Sequence, residues 1–321
     1  MSKRLIAMLL TLMMVLGAMM VPAVAEDETA AVSVYETEIG FLTAIGVLTD
    51  SFDPAAQITK AQFAAMVANV LYPDVDFFKL TVAADAPNLY NDVTASHPYY
   101  SEIKACKDLK IINGDGGGNF NPDEGITVLT GITILINALG YKPYADINGG
   151  FPTGYYTIAN ETGITKGVSS NGGAEISGNV AAKLVYNSLF ADAIRITSVI
   201  NGETSIEINR GKNVLSEHLG IKEYDAIVAD DGVCSLNGES IVDGDDGRVI
   251  LQEYKTGTQY IVYEANSSVS SYFGQRVKAF VKYNDETGRD EVLYASAHTM
   301  NKITTVNSDR ILSVSDTTIE Y

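Results

Sequence analysis

The chain has no tryptophan, three histidines, two cysteines and eight prolines in 321 residues, and its 22 basic residues are outnumbered by 40 acidic ones. His97, His218 and His298 are too far apart in sequence for metal-ligand spacing. No Gly-x-Ser-x-Gly elbow and no phosphate-binding loop occur, so no cofactor is expected. Without tryptophan, a sugar cleft would lack its usual lining side chain. Carboxylates are plentiful, so a glycosidase pair stays open. Cys106 and Cys234 lie 128 residues apart in what read as different domains. A disulfide framework is therefore not expected, and two single buried cysteines are. A net charge of −18 argues against nucleic acid and anionic membranes as partners.

Only one long apolar run exists. Leu5 to Val21 has Thr11 as its sole polar side chain, follows Lys3 and Arg4, and ends at Pro22 and Ala23-Val24-Ala25. This is the pattern of a secretory signal peptide over residues 1–25, with Glu26 as the mature start. Its removal takes the net charge from −18 to −20. Neither cysteine follows the leader, so a lipid anchor there is not expected. The end of the chain, Ser313 to Tyr321, has no apolar tail, so retention at a surface would need a folded domain. About 296 mature residues leave room for two or more domains with cores.

Three segments of the N-terminal half align without gaps. They begin at Ile58-Thr59, Ile126-Thr127 and Ile176-Ser177. Eight, nine and thirteen places after each Ile come Met66, Val67 and Leu71, then Ile134, Leu135 and Leu139, then Leu184, Val185 and Leu189. That spacing lays one apolar stripe along one helical face. The Thr or Ser is placed to cap the helix start, and Thr59-x-x-Gln62 fits a capping box. Phe52-x-Pro54 and Phe120-x-Pro122 precede the first two anchors. Glycine-bearing loops precede all three, and short helices read over Glu36 to Ile45, Tyr99 to Leu109 and Tyr155 to Thr162. Each unit is thus helix, loop, capped helix. An insert around Tyr72 to Leu89, with Pro73 and Pro87, lengthens the first. One such helix cannot bury its stripe alone, but three can bury theirs together.

The run Tyr90-Asn91-Asp92-Val93, His97-Pro98-Tyr99-Tyr100, Ile112-Asn113-Gly114-Asp115, Gly118-Asn119-Phe120-Asn121-Pro122 and Ile126-Thr127 resembles an S-layer homology repeat. The first segment resembles the family most at Ile58-Thr59-Lys60-Ala61-Gln62, and the third is the most degenerate. The resemblance covers about residues 35 to 192. It implies a three-repeat, all-α helical bundle with pseudo-threefold symmetry, whose grooves bind secondary cell-wall polysaccharide or another wall glycan. The implied ligand-binding residues are Thr59, Lys60, Asp92, His97, Tyr99, Asn113, Gly114, Asp115 and Thr127. Lys60 stands where the family has arginine, offering a point charge without a planar fork. The helix start near Thr59 adds backbone donors, and the glycine loop could bring main chain against a ligand. Each has a plainer reading: Lys60 as a solvated first-turn residue, Asp92 as a cap, the loop as a turn. The second and third segments carry Val128 and Gly178 in place of the cation. Asp115-x-Gly117-x-Asn119 and Asp243-x-Asp245-x-Gly247 lack the twelfth-position acid of a calcium loop and read as turns, so no metal site is expected.

From about Ala193 the pattern turns to period two. Strand-like runs cover Tyr224 to Ala229, Val249 to Tyr254, Gln259 to Tyr263, Arg276 to Tyr283, Glu291 to Ala295 and Arg310 to Val314, with turn signals between them. Short helices read at Asn213 to Leu219 and Ser268 to Phe273. The expected organisation is multidomain α+β: a leader (1–25), three repeats (26–192, at about 35–72, 90–141 and 152–192), and mainly β modules at 193–266 and 267–321. Strand-like Thr317-Ile319-Tyr321 leaves the last open to continuation. The functional expectation is a secreted, non-catalytic cell-wall or S-layer protein, able to self-associate in a surface layer. The alternative is a wall-anchored glycan hydrolase or solute-binding protein with its site in the β half.

Overall fold

The computed structural model describes residues 35–169, 173–200, 203–238, 247–265, 267–304, 306–314 and 319–320. The leader and the Asp243–Asp245 turn lie outside the described residues. The chain is mixed α+β, with helices first and strands after. Helices α1 (Glu36–Ala44), α2 (Lys60–Leu71), α3 (Tyr100–Asp108), α4 (Val128–Ala138), α5 (Lys142–Ile147), α6 (Thr153–Glu161) and α7 (Gly178–Ser188) lead into a hairpin of β1 (Asp192–Ile200) and β2 (Glu203–Asn213). A short α8 (Val214–Glu217) then precedes β3 (Ile221–Asp230), β4 (Arg248–Glu253), β5 (Gln259–Glu264), β6 (Arg276–Asn284) and β7 (Arg289–Ala297). A two-stranded pair, β8 (Ser313–Val314) and β9 (Ile319–Glu320), follows.

The three aligned segments form α2, α4 and α7, and these helices pack on one another pairwise. Thr59 accepts a bond from the Gln62 N–H while Gln62 accepts from the Thr59 N–H, closing a capping box. Thr127 caps α4 through the Thr130 N–H at 3.2 Å. Ser177 makes no side-chain cap. Just before the helices the main chains join in a closed ring. The Ile58 N–H donates to Ile176 (3.1 Å), Ile176 to Ile126 (2.8 Å), and Ile126 to Ile58 (3.2 Å). Behind this ring, the residues five places after each anchor Ile are Phe63, Gly131 and Ala181, all buried. A Cβ on Gly131 would come within 3.3 Å of the Phe63 ring and 3.2 Å of Leu184. One large and two small side chains thus share the space where the helices meet, as close packing requires.

Strands β3 to β7 close a barrel in the order β3-β4-β5-β7-β6. All pairs are antiparallel except β5 with β7, which closes it through Tyr263 with Glu291 and Glu264 with Val292. Val228, Val249, Leu251, Val262, Val277 and Val281 fill its interior, with Val269 from a 3-10 turn at Val269–Tyr272. Strands on both sides of residue 267 belong to this one barrel, where the sequence reading set a module boundary. The barrel's outer face is not all solvent-facing. Phe280 stacks on Phe41 of α1 at 3.9 Å, and Tyr294 and Ile221 join the helical core with it. The apolar Phe280 between Lys278 and Lys282 is the trace of that second core.

Some elements differ from the sequence expectation. The hairpin β1–β2 and helix α5 were not anticipated. The 213–219 helix shortens to four residues, and the strand expected at 310–314 shrinks to Ser313–Val314 behind a 3-10 turn. Cys106 is buried, and burial pushes its thiol up to about 12, whereas Cys234 is exposed rather than buried. Among the described residues no helix is long and apolar enough to cross a membrane.

If Phe63 fills the shared space, Phe63→Ala costs about 3–5 kcal/mol. Adding Gly131→Leu to that variant restores part of the loss, read as a higher midpoint in thermal unfolding than the single variant shows.

Candidate functional site

The loop of each segment packs on the helix start of the segment before it. The Lys60 and Ala61 N–H groups donate to Glu124 and Pro122 of the second segment, and the Gly178 and Asn179 N–H groups donate to Ala56 and Pro54 of the first. In these two segments the first residue of the helix, two places after the anchor Ile, therefore faces the neighbouring Phe-x-Pro. In the third segment that position must be glycine, because a Cβ on Gly178 would stand 2.7 Å from the Asp53 carbonyl and 2.8 Å from the Phe52 ring. In the first segment it is Lys60. Its ammonium donates to the Phe120 carbonyl at 2.8 Å and lies 4.5 Å from the centre of the Phe120 ring. Tyr90 stacks on Phe120 at 5.3 Å, and Lys107 lies 4.3 Å from the centre of the Tyr90 ring. Each of the two stacked rings thus has a cation beside it. Burial pushes the Lys60 ammonium below its ordinary range, while Glu124, Asp115 and Asp92 oppose that shift.

Lys60 lines a cleft of about 250 Å³. Asn113 of the glycine loop, Thr130, Thr133 and Asn137 of α4, and Phe151 ahead of α6 complete it. A neighbouring cleft of about 200 Å³ repeats the arrangement. There Gln62, Ala65 and Asn69 of α2 stand at the places that Thr130, Thr133 and Asn137 hold in α4, and Tyr99 stands ahead of α3 as Phe151 does ahead of α6. Gly178 leaves this second cleft without the cation. On α7 the residue aligned with Ala65 and Thr133 is Lys183, which is ion-paired with Glu38 at 2.6 Å with both side chains largely buried.

Of the residues singled out from sequence, Lys60 and Asn113 meet in one cleft and Tyr99 lines the other. Thr59 and Thr127 are helix caps. Asp92 is not a helix cap: its two oxygens accept the Phe120 and Asn121 N–H groups at 2.8 and 2.7 Å, holding the loop under Lys60. Asp115 accepts from the Gly117 and Asn119 N–H groups and from the Asn119 amide, and these bonds hold its carboxyl below the ordinary value. Gly114 is dictated by loop closure, since a Cβ there would be 2.6 Å from the Asn119 carbonyl. His97 accepts from the Tyr99 N–H through Nδ1; burial lowers its pKa against the pull of Asp123 and Asp92. Tyr100, next to Tyr99 in the motif, is buried and its hydroxyl donates to the Pro87 carbonyl.

Sequence reasoning missed three asparagines. Asn69, Asn137 and Asn187 each fall eleven places after an anchor Ile. Their amides donate to the loop carbonyls of Val47 (3.2 Å), Ile111 (3.0 Å) and Ile164 (2.9 Å). The recurrence was visible in the alignment of the segments, but a search for apolar positions passes over it.

The S-layer homology domain family matches residues 89–127. The chain is similar to a middle cell wall protein of Brevibacillus brevis (24% identity over 135 residues, 42% of this chain and 12% of that protein). It is similar to a surface layer protein of Brevibacillus choshinensis (22% over 209 residues, 63% and 18%). A cell surface protein of Thermoanaerobacter kivui matches over 314 residues at 24% identity, 90% of this chain and 38% of that protein. The chain thus spans well under half the length of these relatives.

Two outcomes follow for the loop. Asn137→Ala costs about 1–2 kcal/mol in denaturant unfolding by leaving the Ile111 carbonyl without its donor. The depressed Asp115 carboxyl contributes stability that is complete above its ordinary value of 3.8 and is lost as pH falls through its lower folded value. Asp115→Asn therefore flattens the acid limb of the stability profile, read by unfolding at a series of pH values below 5.

Proposed function

We propose that this chain, which carries an S-layer homology domain over residues 89–127, is a non-catalytic surface-layer protein that three such repeats, within residues 26–192, hold non-covalently to a wall polysaccharide. The domain and relatives named for the cell wall, surface layer and cell surface place the chain at a secreted, cell-wall or surface-layer location. The observation that carries the anchoring reading is Lys60, a half-buried cation set in a cleft beside hydrogen-bonding and aromatic side chains. An acidic group on the glycan would replace water at the ammonium, where partial burial strengthens the attraction over its value in bulk solvent. Asn113 and Thr130 would serve the sugar hydroxyls, and Phe151, well exposed, would offer a face to the ring. Asp92, Asp115 and Asn137 would act by holding the loop that presents Asn113. The sister cleft has glycine at the cation's place, and the α7 lysine is committed to Glu38, so one cleft supplies the charge-dependent part of binding. The barrel would extend the surface module outward and take part in self-association.

The test is co-sedimentation of the full chain with purified walls. Extraction of the secondary polymer should abolish pelleting, and Lys60→Ala should weaken it about tenfold, the worth of one charge-assisted hydrogen bond. Lys60→Arg should retain it. Unchanged binding to extracted walls removes the proposed ligand, and a Lys60→Ala chain that pellets like the parent removes the residue.

A further inference from the structure

A larger cleft lies away from the two between the repeats. It encloses about 470 Å³ where α5 and α6 face the β1–β2 hairpin. Its floor is apolar, with Tyr141 and Ile158 nearly inaccessible and Phe190 and Ile208 on the walls. Two hydroxyls fasten the hairpin across it: Tyr141 donates to the Asp192 carbonyl at 2.6 Å and Tyr144 to the Ile206 carbonyl at 3.3 Å. Those hydroxyls are spent, so recognition falls to the rim. There stand Asn148, Glu161, Asp192 and Arg210. Asp192 accepts the Gly211 N–H through one oxygen at 3.2 Å, and among the described residues no hydrogen bond reaches the other. Among the described residues no ion pair joins Arg210 to Glu161 or Asp192, although the three line one cavity.

We infer that this cleft binds an uncharged N-acetylhexosamine unit of a glycan. A floor of apolar side chains beneath a few directional polar groups is the usual make-up of a small-ligand site. Here the polar groups are planar and of both kinds. Carboxylates of Glu161 and Asp192 accept from an amide N–H or sugar hydroxyls, and the guanidinium of Arg210 and the second N–H of the Asn148 amide, whose first donates to the Tyr144 carbonyl at 2.8 Å, donate to a carbonyl or ring hydroxyl. An acetamido group uses all of this at once: N–H to a carboxylate, C=O to Arg210, and methyl against Ile158 and Phe190. Two carboxylates beside one guanidinium leave the rim slightly negative, which disfavours the acidic substituent that suits Lys60. The chain would then touch a wall glycan at two chemically different places.

Titration of the full chain with chitotetraose, followed calorimetrically, tests this. Saturable binding is expected, with cellotetraose, which lacks the acetamido groups, bound about tenfold more weakly or worse. Arg210→Ala and Glu161→Gln, both at exposed positions, should each weaken chitotetraose binding about tenfold. Absence of saturable binding, equal affinity for cellotetraose, or indifference to both rim variants overturns the inference. Wall co-sedimentation reads the Lys60 cleft and chitotetraose reads this one, so the two readings fail separately.

Discussion

Three main-chain hydrogen bonds, each from an anchor isoleucine of one segment to the anchor isoleucine of another, close a ring at the head of the helical region. Such a ring needs all three segments at once. Each helix brings an apolar stripe that water would otherwise cover, and the caps at Thr59 and Thr127 free the helix starts to sit side by side. The clefts are by-products of this closure. Because each loop lies on the preceding helix start, the first helical residue of one segment and the loop of the next must share a small volume. Whatever stands there decides the chemistry of that cleft: an ammonium at Lys60, bare backbone at Gly178.

The loop side of each cleft is rigid for identifiable reasons. Asp92 grips two successive N–H groups, Asp115 closes its turn with three bonds, and an asparagine from the long helix ties down the loop in every segment. Most of the polar residues around the Lys60 cleft therefore act by holding the backbone. Lys60, Asn113, Thr130 and Phe151 line the cleft beside these braces.

The β half depends on the helical half for part of its core. Phe280, Tyr294 and Ile221 look outward from the barrel yet are buried or partly buried against α1 and α7, with Phe41 stacked on Phe280. The β1–β2 hairpin is likewise fastened by two tyrosine hydroxyls from the helical side. These contacts make the junction a packed surface, and the cleft of about 470 Å³ opens beside it.

Residues near one another in sequence determined the local elements: the recurrence of Ile-Thr with its stripe set the long helices, the Thr59–Gln62 spacing set a cap, and alternation set the barrel strands. These depend on periods of 3.6 and 2, which a single chain displays openly. The hairpin was hidden because Glu203–Asn213 is polar along much of its length and gains its place from tyrosines far away. Burial of Tyr100, exposure of Cys234, closure of one barrel across residue 267 and the use of Asp92 as a loop brace depended on partners 13 to 60 or more residues distant, which no local pattern encodes. So did the difference between the clefts. Lys60 and Gly178 are legible as letters, but only the packing of each loop on its neighbour's helix turns one into a buried cation and the other into a necessary gap.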